Sequence, residues 1–156
     1  MKKESSRGAS NCHIHFVENM EEFQDLLEVF REVFDWEESE FPDSSHLSNL
    51  LGNPYFLVLV AKAENQIVGG LTAYVLPGYQ IKKSSIFIYD LGVATSFQRQ
   101  GIGKKLLDSL LDYAKNHQIQ DVFVDTELED NEDALAFYRK TGFDSQVKVV
   151  QYSYDC

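Results

Sequence analysis

The amino-acid sequence predicts one α/β domain in which helices flank a central mixed sheet. The hydrophobic pattern changes several times between the two-residue repeat of strands and the 3.6-residue repeat of helices, which is typical of this fold class. A helical segment also connects two of the later strands, and such a crossover favours parallel pairing at the centre of the sheet. The length of 156 residues suits a single compact domain with its own hydrophobic core.

The domain is expected to occupy residues 11–156, after a short tail. Residues 1–10 are polar and show no periodicity, so we expect them to be disordered. Residues 12–17 alternate polar and apolar side chains and predict a half-buried strand. His13 and His15 share one face of this strand and, because a metal needs more ligands than these two, are expected to be surface histidines.

Two helices are predicted next. Asn19 followed by Glu22 resembles a capping box and marks the start of the first helix. Its apolar positions recur at helical spacing and are Phe23, Leu26, Leu27, Phe30 and Phe34. Either Asp43 or Ser44 can cap a second, short helix, which ends at Gly52.

The rest of the chain alternates between strands and helices, so that the complete order is β-α-α-β-β-β-α-β-α-β. These later elements are strands at residues 55–62, 66–76 and 85–93, a helix from the loop at 98–103 to about residue 117, a strand at 121–126, a helix from about residue 133 to 141, and a strand at 146–154. The sequence contains no internal repeat and no linker that would divide it into domains.

The acidic composition limits the classes of partner. The formal net charge of −11 argues against nucleic acid, because sequence-independent binding to DNA or RNA depends on Lys and Arg side chains that neutralise phosphates. The acids are clustered: residues 18–43 hold eleven carboxylates and the single base Arg31, and residues 125–133 hold six with no base. Such clusters attract cations, although acidic surfaces also serve solubility alone.

The sequence gives no indication of a membrane, an export signal or a metal site. No apolar run is long enough to cross a bilayer, and the polar start lacks the apolar stretch of a signal peptide, so a cytoplasmic location is expected. Cys12 and Cys156 do not have the spacing of metal ligands and are expected to be free thiols.

The segment at residues 98–104 carries the most specific chemical signal, because it lies between a strand and the first turn of a helix. The first amides of a helix have no partner within the helix and carry partial positive charge, so they suit a polyphosphate. Gly101 and Gly103 lack side chains that would keep phosphate oxygens away from this backbone. Arg99 and Lys104 can add positive charge.

Two other phosphate-binding loops are excluded by individual residues. The P-loop requires Gly at position 98 and Ser or Thr at position 105, where this chain has Gln98 and Lys105. The dinucleotide fingerprint requires a third glycine at position 106, where this chain has Leu106. Taken alone, a pair of glycines at a helix start fits a structural turn as well as a phosphate site.

Two motifs together resemble the GNAT acetyltransferases. Gln98-x-x-Gly101-x-Gly103 looks like the coenzyme A pyrophosphate motif of that family, and the preceding strand ends in Leu91-Gly92-Val93 as theirs does. A second motif resembles the family's later helix and its exit, and consists of Asn131, Ala134, Phe137, Tyr138, Lys140, Gly142 and Phe143. The resemblance implies a GNAT-like domain with a mixed, mostly antiparallel sheet, splayed parallel strands at its centre, and about four helices.

Further stretches resemble the small aminoglycoside 3-N-acetyltransferases that modify gentamicin. This likeness covers most of residues 14–154, and it departs in the acidic stretch at 127–133 and in the final strand. It is carried by Asp43-Ser44, Asn49-Leu50-Leu51, Val68-Gly69-Gly70, Ala73-Tyr74-Val75-Leu76-Pro77 and Ile88-Tyr89-Asp90-Leu91. It implies transfer of acetyl from acetyl-CoA, without a metal, to a small cationic amine such as the 3-amino group of an aminoglycoside.

The resemblance to the GNAT family also implies roles for individual residues. The residues expected to bind acetyl-CoA are Leu91, Gly92, Val93, Gln98, Arg99, Gln100, Gly101, Ile102, Gly103, Lys104 and Asn131. Tyr138 matches the family's helix tyrosine, which would donate a hydrogen bond or a proton to the coenzyme A sulfur. A tyrosine on an amphipathic helix also fits a packing role.

Carboxylates are the candidates for the base and for acceptor binding. Asp90 adjoins the strand end that would bind the coenzyme, where it could deprotonate an ammonium group, hold it, or cap neighbouring backbone. Glu127, Glu129 and Asp130 follow the fifth strand, at the carboxyl end where α/β sheets form their sites, and are candidate clamps for cations. Alternative acceptors are a polyamine, an amino acid or a protein amine. A non-catalytic coenzyme-A-binding module is an alternative function, and assembly as a homodimer is also open.

Overall fold

The structure of the chain, a computed structural model, describes residues 11–36 and 42–156. The described residues group into two compact units, a first unit that ends at Asp125 and a second unit from Thr126 to the C-terminus. The tail predicted at residues 1–10 lies outside the described residues.

Helices and strands follow the predicted order as far as the last helix. The strands are β1 (His13–Phe16), β2 (Phe56–Ala63), β3 (Gln66–Pro77), β4 (Ser84–Val93) and β5 (Ile119–Val124), and the helices are α1 (Met20–Phe34), α2 (Ser44–Leu51), α3 (Ile102–Asn116) and α4 (Glu132–Lys140). A short 3₁₀ turn at Thr95–Phe97, which the sequence pattern did not predict, follows β4. None of the helices in the described part of the chain has the length and apolarity that a bilayer crossing requires.

The sheet is mixed and mostly antiparallel, as predicted. Within the described residues it has five strands in the order β1-β2-β3-β4-β5. Neighbours from β1 to β4 are antiparallel, whereas β4 and β5, which α3 connects, are parallel. The parallel pair lies at the β5 edge of this sheet and not at its centre, because no described strand pairs with the far side of β5.

The prediction of a strand at residues 146–154 is wrong, because this segment has no regular secondary structure. Its apolar side chains are exposed, from 65% at Val149 to 94% at Tyr154. The alternation changes face between Val149 and Val150, so that no single face of the segment is apolar throughout. A strand also needs a neighbouring edge that supplies hydrogen-bonding partners, and an alternating pattern does not contain that information.

The core of the first unit covers both faces of the sheet. Every residue of β2 except Lys62 is buried, so this strand is enclosed on both sides. Alternate residues Phe56, Val58 and Val60 of β2 pack in one cluster with α1. α1 also contacts β3 and β4, and α3 packs against β2, β3, β4 and β5. The α1 side chains in this cluster are Phe23, Leu26 and Phe30. Burial of each such side chain contributes about 2 kcal/mol, which fixes α1 against the strands that carry the candidate site.

Side-chain caps fix the starts of the first two helices. Asn19 Oδ1 accepts a hydrogen bond of 2.9 Å from the backbone N–H of Glu22, as the sequence predicted. Of the two residues that could cap α2, Asp43 does so, because its Oδ1 accepts a hydrogen bond of 2.8 Å from the backbone N–H of His46.

A buried carboxylate joins β1, α1 and β2. Glu22 is 6% exposed and accepts hydrogen bonds from His15 Nε2 at 3.0 Å and from Lys62 Nζ at 3.1 Å. Burial raises the pKa of Glu22, but the backbone N–H of Glu18 and these two side chains outweigh burial and hold the pKa below its ordinary value. The expectation of a surface histidine is therefore wrong for His15, whose side chain is 15% exposed, because the sequence does not show its buried partner.

Candidate active site

The start of α3 is open to a ligand. Its N-cap is Gly101, whose φ of +81° lies in the left-handed region that glycine adopts without strain. A β-carbon built at Gly101 would meet no described atom within 4 Å. The described part of the chain supplies neither a side-chain cap nor an acidic side chain in the first turn. The first amides of α3 thus keep the donor capacity and partial positive charge that suit an anion.

A hydrogen bond connects this turn to the end of β4. Gln98 Nε2 donates to the backbone carbonyl of Val93 over 2.9 Å. The 3₁₀ turn between these residues is held by α1, because the backbone N–H of Thr95 donates to Glu32 Oε1 at 3.2 Å. The side chain of Gln98 therefore helps to position the predicted phosphate-binding turn beside the strand.

β4 continues beyond the part that pairs with β5. Pairing with β5 ends where Ile88 lies opposite Val124, whereas pairing with β3 continues to Val93. On the β5 side, residues 91–93 have no strand partner among the described residues. An unpaired strand edge offers backbone N–H and C=O groups, so this edge can bind an extended ligand that carries amides.

Two basic residues flank the turn. Arg99 is exposed and has a φ of +59°, which is uncommon for a residue other than glycine and clusters at ligand sites in proteins. Lys104 Nζ lies 2.8 Å from both carboxylate oxygens of Asp108, one helical turn further on. These two side chains are 55% and 54% exposed, and an exposed ion pair is weak. The Lys104 ammonium can therefore exchange Asp108 for a phosphate.

A one-residue bulge in β4 determines where Asp90 lies. Thr72 pairs with Asp90, but the next residue, Ala73, pairs with Ile88, so the register skips Tyr89. In a regular strand, Asp90 would occupy the face opposite to that of Phe87. The bulge places Asp90 on the same face as Phe87, because a bulge re-aims the side chains that follow it.

The carboxylate of Asp90 is partly buried and held by a neighbour. Thr72, which is 5% exposed, lies opposite Asp90 on β3, and its hydroxyl favours the ionised form of this carboxylate. Burial raises the pKa of Asp90, and the hydrogen bond from Thr72 lowers it by less, so that the pKa stays above its ordinary value. A carboxylate with a raised pKa is a stronger base, which is the property that proton removal from an ammonium group requires.

The second unit carries the remaining predicted site residues. Glu127, Glu129 and Asp130 are exposed, so their carboxylates are accessible to cations. Asn131 is the N-cap residue of α4, but its side chain does not cap the helix. Instead, Asn131 Nδ2 donates a hydrogen bond of 2.8 Å to Thr126 Oγ1, which closes the loop before α4.

Tyr138 lies half-buried near the end of α4. Its ring makes edge contacts with Phe137 and Phe143, at centroid distances of 5.1 and 5.9 Å. Its backbone carbonyl accepts a hydrogen bond of 2.8 Å from the hydroxyl of Thr141, where the helix ends. The two ring contacts pack Tyr138 within its own unit, and its role as a donor to sulfur stays a prediction.

The first unit brings together three features that the sequence singled out: the turn at residues 98–104, the end of β4 and Asp90. It adds Thr72 beside Asp90, which sequence reasoning missed because this pairing depends on the bulge. Regular alternation, the only signal that the sequence offers, places Asp90 on the wrong face. Among the described residues, no three His, Cys, Asp or Glu side chains are grouped as metal ligands would be.

Residues 20–143 match the family model described as the acetyltransferase (GNAT) family. This match covers most of the chain and includes both motifs that predicted the family. The chain therefore belongs to the GNAT acetyltransferase family, and the family predicted from the sequence is confirmed.

Three solved structures of high similarity are those of two aminoglycoside acetyltransferases from uncultured soil metagenomic samples. The structures of meta-AAC0020, in complex with trehalose and with sisomicin, have a TM-score of 0.90 and 39% identity, and the match covers 93% of this chain and 96% of that chain. The structure of HMB0005 has a TM-score of 0.83 and 30% identity, and the match covers 93% of this chain and 99% of that chain.

Curated relatives match over a shorter stretch. The N-alpha-acetyltransferase RimI of Mycobacterium tuberculosis is 34% identical in an alignment of 91 residues that covers 54% of this chain and 55% of RimI. The chain spans about half the length of the curated relatives it matches.

Proposed function

We propose that the protein transfers an acetyl group from acetyl-CoA to an amine of a small polycationic acceptor, and that this acceptor is an aminoglycoside acetylated on its 3-amino group. The observation that carries acetyl transfer is the uncapped start of α3 at Gly101, which Gln98 connects to the unpaired end of β4. The amides of this turn, with Arg99 and Lys104, would bind the pyrophosphate of coenzyme A, and the edge of β4 would bind the pantetheine arm.

The reaction requires an unprotonated amine, a polarised thioester carbonyl and a proton for the departing thiolate. In the proposed mechanism, the acceptor ammonium first loses a proton to Asp90, directly or through water. The free amine then attacks the thioester carbon, whose oxygen accepts hydrogen bonds from the backbone of residues 91–93. The C–N bond forms and the C–S bond breaks. Tyr138 protonates the thiolate and regains a proton from the acetylated nitrogen through water.

Similarity over nearly the whole chain supports the acceptor class. meta-AAC0020, which is 39% identical over 93% of this chain, has been crystallised with the aminoglycoside sisomicin. The net charge of −11 and the accessible carboxylates of Glu127, Glu129 and Asp130 suit an acceptor with several ammonium groups. The position of the acetylated amine rests on the resemblance of residues 14–154 to the 3-N-acetyltransferases.

A second candidate acceptor is the N-terminal amine of a protein. The similarity to RimI favours it, although that match covers only 54% of this chain. A single N-terminal amine carries one positive charge, so it makes less use of the accessible carboxylates than an aminoglycoside does. Comparing the two acceptors therefore tests the proposal directly.

The test is a transfer assay with purified protein, acetyl-CoA and either sisomicin, gentamicin or an N-terminal peptide, read by mass spectrometry and by the release of the coenzyme A thiol. We expect a monoacetylated aminoglycoside, with the acetyl group located on the 3-amino nitrogen by NMR. Acetylation of the peptide but of no aminoglycoside would contradict the acceptor class. Acetylation at another amino group would contradict only the position. No thiol release with any amine would identify a non-catalytic module.

A further inference from the structure

An aromatic row crosses four strands of the sheet on the face that carries Asp90. We use this name for Phe56, Tyr74, Phe87 and Phe123, which are direct cross-strand partners on β2, β3, β4 and β5. The rings of Phe56 and Tyr74 lie 5.1 Å apart, and those of Phe87 and Phe123 stack at 5.1 Å. Partners in register point to the same face, so all four side chains lie on one face of the sheet.

One end of the aromatic row belongs to the core, and the other end is open to solvent. Phe56 is 9% exposed and packs against Phe23 of α1, so this end needs no further explanation. Phe123, at the other end, is 38% exposed. Tyr74 and Phe87, between them, are half-buried. The cluster that contains the α1 side chains therefore includes Phe56 and extends to Tyr74, whereas Phe123 at the other end is exposed.

The bulge in β4 adds a further ring at the open end. Tyr89, the residue that the register skips, contacts Tyr74 at 5.7 Å and Phe87 at 6.0 Å between ring centroids and remains 62% exposed. It directly precedes Asp90. Asp90 pairs with Thr72, two residues before Tyr74 on β3, so it lies on the same face as Tyr74. Burial raises the pKa of Tyr74, and Tyr89 and Asp90 raise it further.

Two carboxylates flank the exposed rings in the direction along β4, one towards the end of the strand and one near its start. Asp90 directly follows Tyr89 and pairs with Thr72, two residues before Tyr74 on β3, and Asp121 accepts a hydrogen bond from Ser85. The Ser85–Asp121 pair is two residues from the Phe87–Phe123 pair and so occupies the same face. At the rise of a strand, the two carboxylates are separated by about 15 Å along β4. This surface complements a molecule that has ammonium groups along its length and apolar faces between them.

We infer that Tyr89, Phe87 and Phe123 are specificity-determining residues. Their rings bind the sugar rings of an amino sugar, while Asp90 receives its amine. The inference rests on the proposed function and names the surface that selects the acceptor. The apolar face of a saturated sugar ring packs on an aromatic ring, and ammonium groups are attracted to the faces of Tyr and Phe. A linear polyamine has the same charges but no ring face, so the row contributes less to its binding.

The test compares Tyr89→Ala with Tyr89→Phe, by calorimetric binding of sisomicin and by acetylation kinetics with sisomicin and with spermine. Tyr79→Ala is the matched control, because Tyr79 is 94% exposed and lies in the loop between β3 and β4. We expect Tyr89→Ala to weaken sisomicin binding and raise its KM about tenfold, with kcat and coenzyme affinity unchanged and with a smaller effect on spermine. Tyr89→Phe and Tyr79→Ala should behave as the wild type does.

The outcomes separate this inference from the proposed function. If the wild type acetylates sisomicin and Tyr89→Ala has an unchanged KM, the role of the row is refuted and the function stands. An equal loss with sisomicin and spermine would also refute it, because the effect would then be independent of the sugar ring. A wild type that binds sisomicin in a Tyr89-dependent manner without acetylating it would support the row and refute the function. A wild type that does not bind sisomicin would overturn both.

Discussion

Replacing Thr72 by valine tests whether Asp90 is the base. Valine keeps the shape of threonine but lacks the hydroxyl that hydrogen-bonds the carboxylate of Asp90. This hydrogen bond stabilises the ionised form, so its loss raises the pKa of Asp90 further above its ordinary value. Only the ionised form accepts a proton, and activity is lost as the pH falls through this pKa. The variant should therefore lose activity at a higher pH than the wild type.

The size of this shift follows from the strength of the hydrogen bond. A hydrogen bond to a charged group contributes about 1.5 to 3 kcal/mol, and a neutral carboxyl group retains part of that interaction. A difference of about 1.4 kcal/mol between the two protonation states corresponds to one pKa unit. We expect the acidic limb of kcat/KM to move up by about one pH unit, with little change in kcat/KM on the alkaline side of the limb.

The assay is the pH dependence of kcat/KM, measured as thiol release with acetyl-CoA and sisomicin. Thr72→Ser is the matched control, because serine retains the hydroxyl and should restore the wild-type profile. Thermal unfolding of each variant checks that the fold is intact. A Thr72→Val profile that coincides with that of the wild type would refute the proposed role of Asp90, as would full activity in Asp90→Asn.

Three further predictions concern the turn before α3, the proposed proton donor Tyr138 and the buried carboxylate of Glu22. Gly101→Glu should abolish acetyl-CoA binding in calorimetry, because it introduces a carboxylate at the phosphate site and an L-residue at a φ of +81°; binding at wild-type affinity would contradict this. Tyr138→Phe should lower kcat about a hundredfold while the dissociation constant of acetyl-CoA stays the same, and an unchanged kcat would show that Tyr138 only packs. Glu22→Gln should cost about 3 kcal/mol in the free energy of unfolding, because it breaks a buried ion cluster. This difference should be present at neutral pH and shrink as the pH falls through the lowered pKa of Glu22, and a constant difference in denaturant titrations would count against it.

Elements whose signal is local in the sequence were predicted well. α1 follows from its cap at Asn19 and its apolar spacing, and the predicted start and apolar face of α3 agree with the helix at Ile102–Asn116. The turn at residues 98–103 was also predicted, because its chemistry depends on adjacent residues: glycines at a helix start, after a strand. Such features need no knowledge of the tertiary structure.

Features that depend on distant partners were not predicted. The strand expected at residues 146–154 depends on an edge to pair with, which alternation cannot reveal. His15 alternates as a surface residue would, but its partner Glu22 lies on a helix that only the fold brings close. The face of Asp90 depends on a bulge opposite Thr72, and no residue type marks that position in the sequence. The sequence therefore names candidate site residues, but their arrangement follows only from the fold.

The central claim is that backbone amides at the start of α3 hold the diphosphate of acetyl-CoA and so direct its thioester towards an amine beside Asp90. A crystal structure of the protein with acetyl-CoA tests it most directly. We predict diphosphate oxygens within about 3 Å of the amides at residues 101–103, with the pantetheine arm along the unpaired edge of β4. A structure in which the coenzyme binds elsewhere, and this turn contacts no phosphate, would contradict the account.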